Sequence, residues 1–189
     1  MICHTNRVQI MNYQTVLSFW FDEISPEQWW IKDQNFDQEI KKRFLELHES
    51  ANLGELYYWR DTAEGRLAEI IVLDQFSRNI FRDTAKAFAS DILALVLAQE
   101  AISLAEDQKL AQNRRSFMYL PYMHSESVAI HQQAVNLYKE LGNESNLTFE
   151  LKHQEIITRF GRYPHRNAIL GRESSAEELA FLQQPNSSF

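Results

Sequence analysis

The sequence predicts an all-α protein made of antiparallel helical hairpins. Apolar residues recur at the spacing of helix faces along nearly the whole chain. The five Gly and four Pro are few for a protein with many tight turns, and no segment shows the alternation of a β-strand or the turn signal of a β-hairpin. With 189 residues, 44% of them hydrophobic, the chain is long enough to bury a core without disulfides or metals.

In the first half of the chain, each helical pattern has a start signal or a long apolar repeat. The patterns cover residues 16–21, 25–28, 36–51, 61–73 and 85–105. Ser25 precedes Pro26, an order typical of an N-cap with proline at the first helical position. Asp61 and Glu64 are spaced as a capping pair, and Gly54 lies where the preceding helix would stop.

The second half begins with a short helical pattern. A helix from Arg114 to Leu120 is expected to end at Pro121, because proline breaks the hydrogen-bonding of a helix. Ser125 or Ser127 would then cap a helix that stops at Gly142.

Two further helices complete the pattern. Ser145 or Asn146 would cap the first of them, which stops at Gly161. A capping box over residues 175–178 opens the last helix. The result is a series of helices joined by short loops, as in antiparallel helical arrays.

The domain organisation follows from these patterns. Residues 1–11 are predicted to be a disordered N-terminal extension, with Met11 as an alternative translation start. Residues 12–189 are predicted to form a single all-helical domain, or two tightly packed helical subdomains. Cys3 is the only cysteine and cannot form an internal disulfide, which favours a reducing cytoplasm. The longest apolar run, Ile92–Ala98, is too short to span a membrane.

Charge is distributed unevenly along the chain. The net charge of −7 argues against a nucleic-acid-binding protein. Basic residues nevertheless concentrate between Leu151 and Arg172, where Glu155 is the only acidic residue. In this segment Pro164 follows the Gly161 stop and fixes a turn. The candidates there for gripping an anion are His153, Arg159, Arg162, His165, Arg166 and Asn167.

These residues also have structural interpretations. Arg159 and Arg162 flank a helix end, so they could bond its free carbonyl groups. His153 lies on an apolar stripe, where a histidine is more often a buried core residue than a ligand-binding one.

A second candidate motif lies between residues 74 and 82. Asp74, Arg78 and Arg82 are four residues apart, so they share one helix face if the helix persists. The functional interpretation is a carboxylate beside two guanidinium groups that face a groove. The alternative is an ordinary helix-end salt bridge, with Asn79 near the C-cap.

The third candidate motif is the tripeptide His124-Ser125-Glu126. Ser125 sits where an N-cap would stand, and the free N–H groups of the following helix would make an anion site. Glu126 could instead complement the dipole of that helix. His124 is a candidate general base, ligand or capping group.

Several long motifs resemble the bacterial domain-of-unknown-function family numbered 924. They are the segments 16–21, 29–30, 73–82, 119–126 and 153–174, in this order. The resemblance extends from Met11 to the end of the chain. It implies an all-helical, tetratricopeptide-like irregular array, although the sequence lacks a clean 34-residue period. It implies no activity. Ser77 departs from the family, where Pro is frequent, so the helix is expected to run further here.

Three functions fit these motifs. The first is a binding module that grips the carboxylate or phosphate of a small molecule or peptide in an Arg/His groove. The second is an enzyme that acts on a small anionic substrate with Asp74, Glu126 or a histidine as general base. The third is a buried polar network that only locks helix packing. No metal-binding, nucleophile-elbow or phosphate-loop motif is present, so no cofactor or metal is predicted.

Overall fold

Helices supply the regular structure of the computed structural model, which describes residues 12–185 and Ser187; no strand occurs in this part of the chain. The all-α prediction is confirmed, whereas the tetratricopeptide-like arrangement stays a prediction. The α-helices are α1 (Tyr13–Ser18), α2 (Gln34–Asn52), α3 (Ala63–Ile71), α4 (Ser77–Ile80), α5 (Asp91–Ser103), α6 (Gln112–Met123), α7 (Val128–Leu141), α8 (Glu144–Phe160) and α9 (Ala176–Leu182). Short 3₁₀ turns cover Pro26–Trp29, Tyr57–Asp61, Ala85–Phe88, Asp107–Lys109 and Pro164–Arg166.

The centre of the fold is one long helix made of α3, a π-helical turn over Val72–Phe76, and α4. Every residue from 67 to 77 in this helix is buried. A π turn is wider than an α-helical turn and is frequent at functional sites, so its position directs attention to the residues it carries. It places Asp74 and Gln75 in the interior of the protein.

The other helices surround this central helix. Helix α1 packs on α3, α2 packs on the π turn and α4, and α5 and α6 pack on α3. Beyond them, α6, α7 and α8 pack in succession as helical hairpins. The main core is rich in aromatic side chains, including Phe19, Phe44 and Phe76, whose rings lie 4.7–6.0 Å apart between centroids. A smaller cluster contains Ile156, Ile157 and Tyr163.

Several predicted helix boundaries are confirmed. Ser25 and Ser175 each form a complete capping box. Gly142 and Gly161 adopt left-handed backbone angles, with φ of 74° and 68°, at the ends of α7 and α8. Glycine is favoured at both positions because a Cβ atom makes this conformation costly.

Other boundaries differ from the prediction. Pro121 does not end α6, which continues to Met123, because residues 117–123 are all buried and packing holds the last turn despite the missing N–H. Thr62, not Asp61, caps α3, and Asn143 caps α8 in place of Ser145 or Asn146.

The predicted continuous pattern over 85–105 is also wrong. It divides into the 3₁₀ turn at Ala85–Phe88 and α5, with Ser90 at the N-cap position. The interruption matters because it forms one side of the cleft described below. The predicted extension 1–11 lies outside the described residues. None of the described helices has the length and apolar character needed to cross a membrane.

Candidate functional site

A cleft of about 360 Å³ lies where three segments of the chain meet. The segments are residues 85–95, the end of α6 with the loop after it, and the turn that follows α8. The lining residues are Ala85, Phe88, Ala89, Asp91, Ile92, Leu95, Pro121, His124, Ser125, Glu126, Arg166 and Leu170. The size falls within the range of about 300–1,000 Å³ that is common for small-molecule sites.

An aspartate–histidine pair lies at this cleft. Nδ1 of His124 is 2.8 Å from Oδ1 of the fully buried Asp74, and Gln75 donates to Oδ2 of the same carboxylate at 2.6 Å. Because an ionised carboxylate only accepts hydrogen bonds, Nδ1 carries the proton and Nε2 is the unprotonated nitrogen of the neutral ring. Within the described residues Nε2 makes no hydrogen bond, and the imidazole lines the cleft.

The protonation states of this pair follow from its surroundings. Burial lowers the pKa of His124, and the nearby Arg78 lowers it further, against the opposing effect of Asp74. For Asp74, burial acts to raise the pKa, but the charge of Arg78 and the hydrogen bonds to the carboxylate prevail and hold the pKa well below its usual range. At neutral pH the pair is therefore a carboxylate and a neutral imidazole.

Arg78 is fully engaged by internal acceptors. Its Nη1 donates to the backbone oxygen of Asp74 at 2.6 Å and lies 3.1 Å from Oδ1 of the same residue. The guanidinium also lies 3.1 Å from Oδ1 and 3.2 Å from Oδ2 of Asp91. Arg78 therefore ties the central helix to the first turn of α5 and leaves little capacity for a ligand.

Arg166 is held differently. Its guanidinium lies between the rings of Phe88 and Tyr163, 4.6 and 4.5 Å from the ring centroids. Its one hydrogen bond within the described residues is long, 3.3 Å from Nη1 to Oδ2 of Asp91, and its Nε has no partner. Arg166 lines the cleft, and its buried Nε is a donor that no acceptor in the described residues satisfies, which is costly.

Glu126 also lines the cleft, and its carboxylate is paired within the protein. Arg172 donates to both of its carboxylate oxygens, at 2.6 and 2.9 Å, and the backbone N–H of Tyr163 donates at 2.8 Å. Burial acts to raise the pKa of Glu126, but these donors prevail and lower it. Glu126 is thus ionised and paired, which leaves it poorly suited to act as a base.

Three further candidates from α8 and the basic turn do not line the cleft. His165 is largely buried with its Nδ1 unpaired, and burial with the charge of Arg166 lowers its pKa to about 4. The Asn167 side chain donates to Oγ of Ser174 at 3.0 Å. His153 is buried with its Nδ1 2.7 Å from the backbone oxygen of Phe149, which agrees with its interpretation as a core residue.

Four predicted site residues lie elsewhere. Helix α4 ends at Ile80, so Arg82 does not share the face of Arg78. Arg82 and Asn79 instead bind the buried Asp37 of α2, with a distance of 2.7 Å from Arg82 Nη2 to Asp37 Oδ1 and 2.9 Å from the Asn79 amide to the same oxygen.

Arg159 and Arg162 also point away from the cleft. Both pair with the first turn of α9, Arg159 with Glu177 and Arg162 with Glu178. They bond these carboxylates and the backbone oxygen of Glu173, so neither caps the end of α8 as the alternative interpretation proposed.

Ser125 lies at the cleft but does not cap the helix that follows it. It lines the cleft, yet α7 begins at Val128 with Ser127 at the N-cap position, so the predicted anion site at the start of that helix does not form at Ser125. The backbone oxygen of Ser125 instead accepts a hydrogen bond from Nε2 of His131 at 2.9 Å.

Sequence reasoning missed three contributors to the site. Asp91 is the acidic partner of both Arg78 and Arg166, and its signal was an isolated acid at the start of an apolar helix. Arg172 belongs to the basic segment but was not linked to Glu126. The His131–Glu150 pair carried no local sequence signal. In the part of the chain that the structure describes, no cluster of three His, Cys, Asp or Glu side chains could hold a metal ion.

Comparison with known proteins agrees with this fold. The profile of the family described as "Bacterial protein of unknown function (DUF924)" matches residues 16–186. A solved structure of the protein of unknown function ATU0120 from Agrobacterium tumefaciens shares 40% sequence identity and superposes with a TM-score of 0.86, covering 90% of this chain and 96% of that one. No protein with a curated description matches the sequence. The chain belongs to this bacterial family of unknown function.

Proposed function

We propose that the cleft binds a small molecule through a carboxylate or similar anionic group. The observation that carries the proposal is Arg166, whose guanidinium has an unpaired Nε and a single long hydrogen bond. A bound carboxylate would supply the acceptors that the protein does not, in the forked geometry that suits arginine. Phe88 and Tyr163 hold the guanidinium plane in place for such a contact.

The charged groups around Arg166 balance one another without a ligand. Asp74 and Asp91 together balance Arg78 and Arg166, while Glu126 is balanced by Arg172. The neutral His124 adds a polar group at the cleft without adding charge. An anion bound there would meet Arg166 directly, and protonation of His124 on binding would add a second positive partner.

A second candidate function is general acid–base catalysis on the bound molecule. The Asp74–His124 pair favours it, because a buried carboxylate on Nδ1 orients the ring and leaves Nε2 free to accept a proton. The lowered pKa of His124 keeps this nitrogen unprotonated at neutral pH. In this role His124 is the base, Asp74 orients it and Arg166 positions the substrate.

The binding proposal is tested with Arg166→Gln and a matched control, Arg162→Gln, which removes an arginine paired outside the cleft. Binding of butyrate, succinate and inorganic phosphate is measured by isothermal titration calorimetry. At least one of these anions is expected to bind the native protein and the control with similar affinity, and Arg166→Gln about tenfold or more weakly. Binding that is unaffected by Arg166→Gln would contradict the proposal, as would no binding at all.

Catalysis is tested with His124→Gln. Gln keeps a polar group at the cleft but cannot exchange a proton at neutral pH. If His124 is a general base, turnover of small carboxylate esters and amides falls by about 10²-fold or more, while calorimetric binding of the same anions persists. Turnover that survives the substitution would exclude this role for His124.

A further inference from the structure

One wall of the cleft is apolar although it faces open space. Phe88, Ile92, Leu95 and Leu170 line this wall, and Phe88 also stacks on the guanidinium of Arg166. Most of the apolar lining residues come from the 3₁₀ turn and α5, where Asp91 is the one charged lining residue, and the other polar lining residues come from the loop after α6 and the basic turn. A ligand that fills the cleft therefore meets an anion-binding end and an apolar side.

Helix α5 is unusual among the described helices. Its sequence, DILALVLAQEAIS, is apolar on nearly every face, a composition typical of a helix buried on all sides. Here it lies at the surface, where Ile92 is 77% exposed and Val96, one turn later, is 51% exposed. Ile92 belongs to the cleft, so the apolar wall continues outward from the cleft along α5.

From these features we infer that the ligand is amphipathic: a carboxylate with an unbranched alkyl or acyl chain, whose head lies at Arg166 and whose chain lies along Phe88, Ile92 and Leu95. This inference rests on the proposed anion site and adds the class of molecule. The head is placed at Arg166 because Nε of this residue has no hydrogen-bond partner and Nη1 has one long bond. The apolar wall then favours a hydrocarbon chain over a sugar, a nucleotide or a second acidic group.

The test is a chain-length series. Butyrate, hexanoate, octanoate and decanoate are titrated calorimetrically into the full-length protein, with 1-octanol as the uncharged control. The affinity is expected to rise about two- to fourfold for each methylene group that enters the cleft. Octanol is expected to bind at least about tenfold more weakly than octanoate, because it lacks the charge that Arg166 recognises.

Two surface variants test whether the alkyl chain of the ligand lies along the apolar wall. Ile92→Asn is expected to abolish the gain per methylene, because it places an amide on the apolar side of the cleft. Leu104→Asn is the matched control, since Leu104 is 53% exposed at the end of the same helix and does not line the cleft. Both positions are solvent-exposed, so the substitutions leave the fold intact; equal melting temperatures verify this.

The outcomes separate this inference from the anion-binding proposal. If all carboxylates bind through Arg166 with equal affinity, the alkyl chain is excluded and the anion site stands. If phosphate binds through Arg166 and no carboxylate does, the anion site stands and the inference falls; if none of these anions binds, both fall. Octanoate binding that neither Ile92→Asn nor Arg166→Gln changes from the native value indicates nonspecific adsorption and overturns the inference. A native dimer that Ile92→Asn dissociates would also overturn it, by assigning the apolar wall to a second copy of the chain.

Discussion

Two histidine–carboxylate pairs lie in the part of the chain that the structure describes, and they differ in what the second ring nitrogen contacts. In the first, His124 bonds Asp74 at 2.8 Å, its ring lines the cleft, and its Nε2 makes no hydrogen bond within the described residues. In the second, His131 bonds Glu150 at 2.7 Å, and both residues are completely buried. The Nε2 atom of His131 is used as well, 2.9 Å from the backbone oxygen of Ser125 and 3.2 Å from the hydroxyl of Tyr163.

The difference decides where the protons reside. The Ser125 oxygen can only accept, so Nε2 of His131 carries a proton, and the bond between Nδ1 and Glu150 needs a second one. Burial raises the pKa of Glu150, which favours a protonated carboxyl in this sealed pair. Asp74 has Arg78 beside it and is ionised. The same two functional groups thus give a structural bridge in one place and a base facing a cleft in the other.

The sealed pair also supports the open one. His131 lies on α7 and Glu150 on α8, and through Ser125 they hold the loop that carries His124. Tyr163 strengthens the same junction, because its hydroxyl donates to the backbone oxygen of Met123. The geometry of the open pair therefore depends on contacts that lie outside the cleft.

The largest expected effect is acid destabilisation that begins near pH 6.5. Burial lowers the pKa of His48 to about 4, of His153 to about 3 and of His165 to about 4, and it also lowers that of His124. The unfolded chain takes up these protons first, so stability is present above pH 6.5 and is lost as the pH falls toward 4. Urea unfolding at a series of pH values is expected to show a loss on the order of 5 kcal/mol between pH 7 and pH 5.

The two pairs contribute to this loss with opposite signs. Glu150, with its raised pKa, stabilises the folded state as the pH falls, so Glu150→Gln steepens the loss of stability. His124→Gln removes a histidine that the unfolded chain protonates first. The unfolding free energy then falls less steeply with decreasing pH, by up to about 1.4 kcal/mol per pH unit. If the unfolding free energy depends on pH equally in the two variants, the opposite directions of the Glu150 and His124 pKa shifts are contradicted.

Isosteric amides at the two carboxylates give the next largest effect. Asp74→Asn removes an ionised group and leaves Arg78 with one carboxylate partner, so unfolding should become easier by about 3 kcal/mol, or roughly 6–12 °C in melting temperature. Glu150→Gln removes the titrating carboxyl but supplies an amide that can still donate to Nδ1 of His131, and it should cost less than about 1 kcal/mol. Thermal unfolding at pH 7 measures both. A larger cost for Glu150→Gln would mean that the sealed pair is ionic.

The smallest expected difference between the two pairs is in the chemical reactivity of their histidines. Diethyl pyrocarbonate acylates unprotonated imidazole nitrogens, so at pH 7 it should modify His124 about tenfold or more faster than His131, which reacts only when the structure opens. Peptide mass spectrometry resolves the two sites. His48 serves as an internal reference, because it is buried with its Nε2 bonded to the Ser77 hydroxyl. Comparable rates at His124 and His131 would contradict an open Nε2.

The helices were largely predictable because their signals are local. Apolar spacing, the Ser25 and Ser175 capping boxes and the Gly142 and Gly161 stops each depend on residues within a few positions of one another. The errors arose where distant packing overrides such signals, as at Pro121, which α6 passes through because its last turn is buried.

The sequence by itself determined the helical fold and the residue types from which a site could be built. Of its thirteen candidate site residues, His124, Ser125, Glu126 and Arg166 line one cleft, and the buried Asp74 bonds His124. Only the tertiary structure decided which arginines are already paired. Arg78, Arg82 and Arg162 have carboxylate partners 4 to 45 residues away in the chain, and Arg166 shares Asp91 across 75 residues. An ion pair depends on distance in space, and local sequence carries no information about that distance.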